Sequence, residues 1–247
     1  MKQLCVTTSM GKRIIGKAVA LHPDIRGVLE KGTLVVIAGT TNDYVAEEIL
    51  KSLGKSEGFS REGFRRGMTS APGAKAMKAN FPGDVIINDG TWQKGATIFD
   101  VVDDLKAGDI ILKGCNAFDP RGQAAVQIAH PKGGTILAAL QAVIGQRVRL
   151  IVPVGLEKRV FEDVNLLAHR CNAPGTEGTR LLPIPGDIFT ELDAIKLMTG
   201  AEACLIAAGG INGAEGSSWL GITGTEGEIQ DAAGLIKSVS DEPLCVV

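Results

Sequence analysis

The sequence has few aromatic residues and no surplus of positive charge. Phe, Trp and Tyr make up only 4% of the 247 residues, which argues against the stacking surfaces that single-stranded nucleic acids require. The formal net charge is −2 and the calculated pI about 6.0, so the chain as a whole has no net attraction for nucleic acid or anionic lipid. We therefore expect neither a nucleic acid nor a membrane as a partner.

Paired cysteines and long apolar runs are also missing. No CxxC or CxxH pair occurs, which argues against a zinc site and a disulfide framework. No stretch is long enough to span a bilayer, and the N-terminal MKQLCVTTSMGKR lacks the apolar segment of a signal peptide. These absences predict a cytoplasmic protein with no metal and no cofactor. The five scattered cysteines are Cys5, Cys115, Cys171, Cys204 and Cys245.

Residues 31 to 54, KGTLVVIAGTTNDYVAEEILKSLG, predict a strand, a polar turn and a helix. The apolar run 34–38 suits a strand buried on both faces of a parallel sheet, and Gly54 suits the end of the helix. The N-terminus of such a helix offers free backbone N–H groups and a partial positive charge to a phosphate or carboxylate. The predicted ligand-binding residues here are Gly39, Thr40, Thr41 and Asn42, although the same side chains would also suit a simple helix cap.

Strands and helices alternate over about residues 31 to 160, which predicts a Rossmann-like, mostly parallel sheet with helices on both faces. Two further strands, Asp84–Gly90 and Asp109–Gly114, end in polar turns, and open α/β sheets bind ligands where their strands end. A purely structural role as turn residues is the alternative for both predicted catalytic aspartates. The predicted catalytic residues are Asp89, Lys113 and Asp119, and the additional ligand-binding residues are Gly90, Gly114 and Asn116.

The last third of the chain has a different order of elements. Residues 181–247 predict β-α-β-β-α-β, the order of a ferredoxin-like α+β domain. A segment rich in Asn, Pro, Gly and Thr near residues 170–178 has the composition of a linker. We therefore predict a Rossmann-like anion-binding domain over residues 1–170 and a smaller ferredoxin-like domain over residues 179–247.

Residues 55–78 form the least regular stretch and contain six basic side chains among Gly, Ser and Pro. Such a basic loop beside an anion-binding turn suits a clamp for phosphate groups. A solvated surface loop is the alternative.

Several segments resemble the superfamily of ribose-5-phosphate isomerase A, glucosamine-6-phosphate deaminase and the coenzyme A transferases. IAGTTNDYVAEEIL is similar to its phosphate-binding loop and helix, INDG at Ile87–Gly90 to its Asp-Gly turn, and ILKGCNA at Ile111–Ala117 to its Lys-Gly loop. RVRLIVPVGLEKRV resembles a later strand of that superfamily and places the Glu157–Lys158 pair after it. The resemblance implies an isomerase-like or transferase-like enzyme that binds a small phosphorylated or anionic metabolite.

Two positions depart from the isomerase pattern. Trp92 and the neighbourhood of Gly122 occupy the places of acidic residues. A non-catalytic small-molecule-binding or regulatory protein on the same scaffold is therefore the alternative function. A dinucleotide-binding site is disfavoured because GTTN lacks the G-x-G-x-x-G spacing. Base rates for soluble proteins favour a homo-oligomer.

Overall fold

The computed structural model describes residues 1–66 and 81–244, which form three β-sheets and eight α-helices. The strands are β1 (Lys2–Val6), β2 (Thr33–Val36), β3 (Val85–Asn88), β4 (Thr91–Trp92), β5 (Ile110–Leu112), β6 (Ala117–Phe118), β7 (Ala124–Ile128), β8 (Arg149–Pro153), β9 (Arg180–Ile184), β10 (Asp187–Phe189), β11 (Glu202–Ala208) and β12 (Ser218–Thr223). The helices are α1 (Thr8–Leu21), α2 (Pro23–Glu30), α3 (Asn42–Ser52), α4 (Ile98–Val101), α5 (Thr135–Gln146), α6 (Val164–Cys171), α7 (Glu191–Thr199) and α8 (Glu226–Lys237).

The largest sheet has six strands in the order β10-β8-β5-β2-β3-β4. Its first four strands are parallel, so the predicted α/β class with a mostly parallel sheet is confirmed. The side chains of β2 and β5 are almost entirely buried, because helices or loops cover both of their faces, as the continuous apolar runs predicted.

Strand β3 runs antiparallel to β2, which differs from the parallel arrangement expected for Asp84–Gly90. After β3 the chain makes a two-residue hairpin turn at Asp89 and Gly90, which have φ angles of 43° and 70°. Positive φ at both turn residues is the type I′ geometry that joins twisted antiparallel strands, and Asp-Gly is one of its preferred sequences. The turn therefore continues into β4 instead of into a helix.

The remaining two sheets have three antiparallel strands each, in the orders β1-β12-β11 and β6-β7-β9. The predicted hairpin of β11 and β12 is present, and the predicted helices on either side of it correspond to α7 and α8. The strands are not grouped as the predicted ferredoxin-like domain requires, however. Strand β9 pairs with β7, and the N-terminal β1 takes the place beside β12.

A short strand that the sequence pattern did not predict, β10, joins the six-stranded sheet directly after β9. The predicted last strand, residues 244–247, lies mostly outside the described residues. One cluster of buried apolar side chains extends from Val6 to Val239 and so includes residues from both predicted domains. The division of the chain near residues 170–178 stays a prediction.

Helix α1 packs against α3 and α7, and α4 packs against α5. The approach of α1 to α3 is close at Gly16, where an added Cβ would lie 2.9 Å from the Tyr44 carbonyl oxygen. Helices α1 and α2 are separated at His22, and Pro23 is the first residue of α2, as the proline predicted. No helix in the described part of the chain has the length and apolar character that crossing a bilayer requires.

The described part of the basic 55–78 loop packs in an aromatic cluster. Phe59, Phe64, Phe81 and Trp92 pack with ring centroids 5.2 to 6.5 Å apart. Such aromatic pairs contribute about 0.5–1.5 kcal/mol each beyond their buried area. Residues 67–78 of the predicted clamp lie outside the described residues.

Candidate functional site

Several polar side chains of the core lie at the carboxyl edge of the six-stranded sheet. Backbone hydrogen bonds continue past the ends of the parallel strands, from Ile37 N to Leu112 O (3.0 Å), Lys113 N to Ile151 O (3.1 Å) and Val154 N to Phe189 O (3.0 Å). The chain segments that follow β2, β5, β8 and β10 are therefore held side by side at this edge. Open α/β sheets bind ligands at such an edge.

The turn between β2 and α3 is fixed by Asn42. Its Nδ2 donates to the carbonyl oxygens of Ile37 (2.8 Å) and Leu112 (3.0 Å). The Oγ1 of Thr41 and the Oδ1 of Asn42 are buried without a hydrogen-bond partner among the described residues. The backbone N–H groups of Thr40 and Thr41 likewise have no acceptor within that part of the chain. The turn thus keeps donors and acceptors available at the N-terminus of α3.

Two lysines follow the neighbouring strands. Lys113 Nζ donates to Gly114 O (3.0 Å), and Lys158 Nζ donates to Cys115 O (3.2 Å). Burial, assisted by the charge of Lys158, lowers the pKa of Lys113 to about 8. Burial raises the pKa of the Cys115 thiol to about 11 against the opposing charges of both lysines, so this thiol is protonated and inert at neutral pH.

Asp84 directly precedes β3 and lies at the same edge of the sheet. The residue is fully buried, and its carboxylate accepts hydrogen bonds from Ala38 N (3.0 Å) and Ile98 N (2.9 Å). Arg66 adds an ion pair through Nε at 3.2 Å. Because β3 is antiparallel to β2, its amino end, which carries Asp84, lies at the carboxyl edge of the parallel strands.

A second buried carboxyl group comes from the first residue of α7. Glu191 is 3% exposed and accepts from Leu156 N at 3.0 and 3.3 Å. Burial and the nearby charge of Glu157 raise the pKa of Glu191 well above its usual value, so the group holds a proton at neutral pH. The lack of a side chain at Gly11 makes room for this carboxyl group, since a Cβ there would lie 2.3 Å from Glu191 Oε1.

Lys12 of α1 lies between two acidic groups, and its charge acts on the carboxyl groups of both Asp43 and Glu191. Burial raises the pKa of Asp43 to about 7, while the hydrogen bond from Tyr44 N (2.6 Å) and the charge of Lys12 oppose the rise. Asp43 therefore changes its charge near neutral pH.

This titration makes stability depend on pH. An aspartate raised from 3.8 to about 7 contributes stability that is complete below pH 3.8 and is lost as the pH rises through about 7. Wild type should therefore lose stability between pH 4 and pH 8, whereas Asp43→Asn lacks this titration. We expect the free energy of unfolding of Asp43→Asn, measured relative to wild type, to be about 1–3 kcal/mol higher at pH 8 than at pH 4. Urea denaturation at both pH values measures this gain. Asp104→Asn, a change at an exposed residue, is the control, and an equal offset at both pH values would contradict the prediction.

The predicted site residues divide into three groups in the structure. Those of the first group lie at the carboxyl edge: Gly39, Thr40, Thr41, Asn42, Lys113 and Gly114. Asp89 and Gly90 lie at the opposite edge, where Asp89 Oδ1 accepts from Gly32 N at 2.9 Å. The five-residue offset from Asp84 to Asp89 corresponds to about 16 Å along an extended strand. Asp89 is therefore not brought together with Lys113.

Asn116 and Asp119 form the third group and belong to the β6–β7 hairpin. Asn116 Oδ1 accepts from Gln127 N (3.0 Å), and this hydrogen bond joins the residue before β6 to β7. The buried Asp119 carboxylate accepts from the backbone N–H groups of Arg121 (2.9 Å), Gln123 (3.1 Å) and Val164 (3.0 Å). All of these are structural contacts, of the kind that the turn interpretation of Asp119 implied.

Four side chains of the site were missed by the sequence interpretation: Lys12, Asp43, Asp84 and Glu191. The Asp-Gly pair predicts the hairpin of β3 and β4 but not the direction of β3 relative to β2, so no local pattern placed Asp84 at this edge. For Glu191 the local pattern Thr190-Glu191-Leu192-Asp193 indicated only the start of a helix, and the structure contains the corresponding capping box.

In residues 1–66 and 81–244, no group of three or more His, Cys, Asp or Glu side chains is arranged to hold a metal ion. Comparisons of the chain with protein-family models, with curated proteins and with solved structures found no significant match.

Proposed function

We propose that the carboxyl edge of the six-stranded sheet binds a small phosphorylated or otherwise anionic metabolite. The observation that carries this proposal is a set of lysines without carboxylate partners. Within the described residues, no carboxylate oxygen lies within 4.0 Å of Nζ of Lys12, Lys113 or Lys158. By contrast, the buried Arg13 is paired with three glutamates. Lys12 is buried and Lys113 and Lys158 are partly buried, so the lack of a close counter-ion is costly and a bound anion would offset that cost.

The free donors of the β2–α3 turn support the same ligand class. Backbone N–H groups at a helix N-terminus and lysine ammonium groups are the usual partners of phosphate. Thr40 and Thr41 supply the N–H groups, while Lys113 and Lys158 supply the charge. A small ligand could contact both the β2–α3 turn and the two lysines.

We further propose that the site transfers protons, as in an isomerase or a transferase. Such chemistry needs an acid or base and a cation that stabilises a developing oxyanion. Glu191 is the buried carboxyl group that carries a proton at neutral pH, and Lys113 is a suitable cation. Glu191 replaces Asp89 in this role, because Asp89 lies at the other edge of the sheet. Membership of the ribose-5-phosphate isomerase and coenzyme A transferase-like superfamily, and a homo-oligomeric state, stay predictions.

A non-catalytic binding or regulatory protein is the second candidate. The observation that favours it is the shortage of free bases at the edge. The Asp84 carboxylate is fully occupied by two backbone N–H groups and Arg66, and the Cys115 thiol is protonated. Binding without turnover of any aldose or ketose phosphate, followed by NMR, would select this candidate.

Removal of either lysine at the strand ends is expected to weaken phosphate binding. A charge-assisted hydrogen bond contributes about 1.5–3 kcal/mol, so Lys113→Met and Lys158→Met should each raise the Kd for ribose 5-phosphate about 10- to 100-fold. Isothermal titration calorimetry measures the change. The matched control is Lys132→Met at an exposed position, which should leave the Kd unchanged. Equal affinity in all four proteins would refute the proposed site.

A further inference from the structure

The environment of the Lys113 amine differs from that of an ordinary phosphate-binding lysine. Its hydrogen bond is to the neutral carbonyl of Gly114 at 3.0 Å, and no described carboxylate lies within 4.0 Å. A lysine paired with a carboxylate stays protonated and is a poor nucleophile. An ammonium group that lacks such a partner and is partly buried loses its proton more readily.

A second cation strengthens this effect. Lys158 Nζ donates to Cys115 O, one residue beyond the carbonyl that Lys113 contacts, and its charge lowers the pKa of Lys113 against the weaker, opposing charge of Asp84. A lysine that is desolvated and placed beside another cation is one of the known ways to obtain a nucleophilic amine. Lys158 and the N–H groups of the β2–α3 turn remain available for the negative charge of a substrate.

The position of Lys113 in the sheet suits the approach of a substrate. Lys113 is only partly buried, and it lies at the carboxyl end of a central strand, where a ligand can approach. Lys113 is therefore partly exposed at the edge of the sheet and is held in place by its own strand.

We propose that Lys113 forms an imine with the carbonyl group of a small anionic aldehyde or ketone bound at the carboxyl edge. The inference deepens the proposed function and rests on it, because the anion must be held before the amine can react. The amine nitrogen attacks the carbonyl carbon, the two amine protons and the carbonyl oxygen leave as one water molecule, and a C=N bond replaces the C=O bond. Neither an oxidant nor a reductant is needed for this step.

Reductive trapping tests the proposal with two probes of equal charge. The full chain is incubated with dihydroxyacetone phosphate, which has a carbonyl group, or with glycerol 3-phosphate, which has none, and then treated with sodium cyanoborohydride. Peptide mapping by mass spectrometry identifies each modified lysine. Binding of both probes is measured separately by calorimetry without the reductant.

We expect the ketone to modify Lys113 about ten-fold or more faster than the exposed Lys132. An amine with a pKa of about 8 is uncharged at pH 7 about 300 times more often than one at 10.5, but its lower basicity removes part of that advantage. An excess of glycerol 3-phosphate should slow the reaction at Lys113 and leave Lys132 unaffected. Lys132→Met, as a control, should keep the full rate at Lys113.

The outcomes separate the two proposals. If both phosphates bind but Lys113 is modified no faster than Lys132, the imine is refuted while the anion site stands. If neither probe binds and Lys113 shows no preference, both proposals are refuted. Preferential modification of Lys113 that glycerol 3-phosphate suppresses supports both.

Discussion

Replacing Asp84 with alanine is expected to lower the free energy of unfolding by about 3–5 kcal/mol, the largest effect we predict for a single change in this protein. The substitution leaves the N–H groups of Ala38 and Ile98 without acceptors and Arg66 without its ion-pair partner. Because Asp84 is fully buried, water cannot replace these contacts without opening the structure. Urea denaturation at pH 7 measures the loss.

The aspartate at the other end of the same strand provides a matched control. Asp84→Asn removes one acceptor oxygen and should still cost about 1–3 kcal/mol, because an amide group would face a backbone donor. Asp89→Asn should change stability by less than about 0.5 kcal/mol, since asparagine tolerates the left-handed conformation and keeps an acceptor for Gly32 N. Equal costs for the two asparagine variants would show that Asp84 does not organise the edge of the sheet.

The second large effect is expected at Arg13, whose guanidinium group joins three parts of the chain. It pairs with Glu242 through Nε at 2.8 Å, with Glu47 at 2.6 Å and with Glu48 at 2.5 Å. Arg13→Leu leaves these partly buried carboxylates close together, and within the described residues Arg61 and Lys51 are the cations that still pair with them. We expect a loss of about 2–4 kcal/mol in the free energy of unfolding at pH 7.

The loss at Arg13 should also depend on pH. Burial alone would raise the pKa of Glu47, but the hydrogen bond and charge of Arg13 outweigh it and lower the pKa. A carboxylate with a lowered pKa contributes stability that is present above its unfolded value of 4.5 and is lost as the pH falls through the folded value. The difference between wild type and Arg13→Leu should therefore shrink below about pH 4.5.

An exposed ion pair serves as the control for Arg13. Arg121 pairs with Asp163, and 69% of the Arg121 side chain is exposed. Arg121→Leu should change the free energy of unfolding by no more than about 0.5 kcal/mol, because solvent screens exposed pairs. A comparable loss in both leucine variants would assign the effect to the added apolar surface and not to the buried charges.

The sequence alone determined those features that depend on neighbouring residues. The apolar run at 34–38 gave a buried strand, the residues after it gave the helix α3, and Pro23 marked the start of α2. The same local pattern identified the β2–α3 turn and Lys113 as parts of one edge. Periodicity and turn chemistry are short-range properties, so they can be recognised before any tertiary contact is known.

The tertiary structure decided the partners of the strands and the charge states of the site. The sequence predicted that Asp89 would approach Lys113 and that β9 would share a domain with β11 and β12. The antiparallel direction of β3 placed Asp89 at the other edge, and β9 paired with β7 instead. Strand pairing depends on long-range burial, which no local pattern specifies. The shifted pKa values of Glu191 and Lys113 likewise arise from residues far apart in sequence that together exclude water.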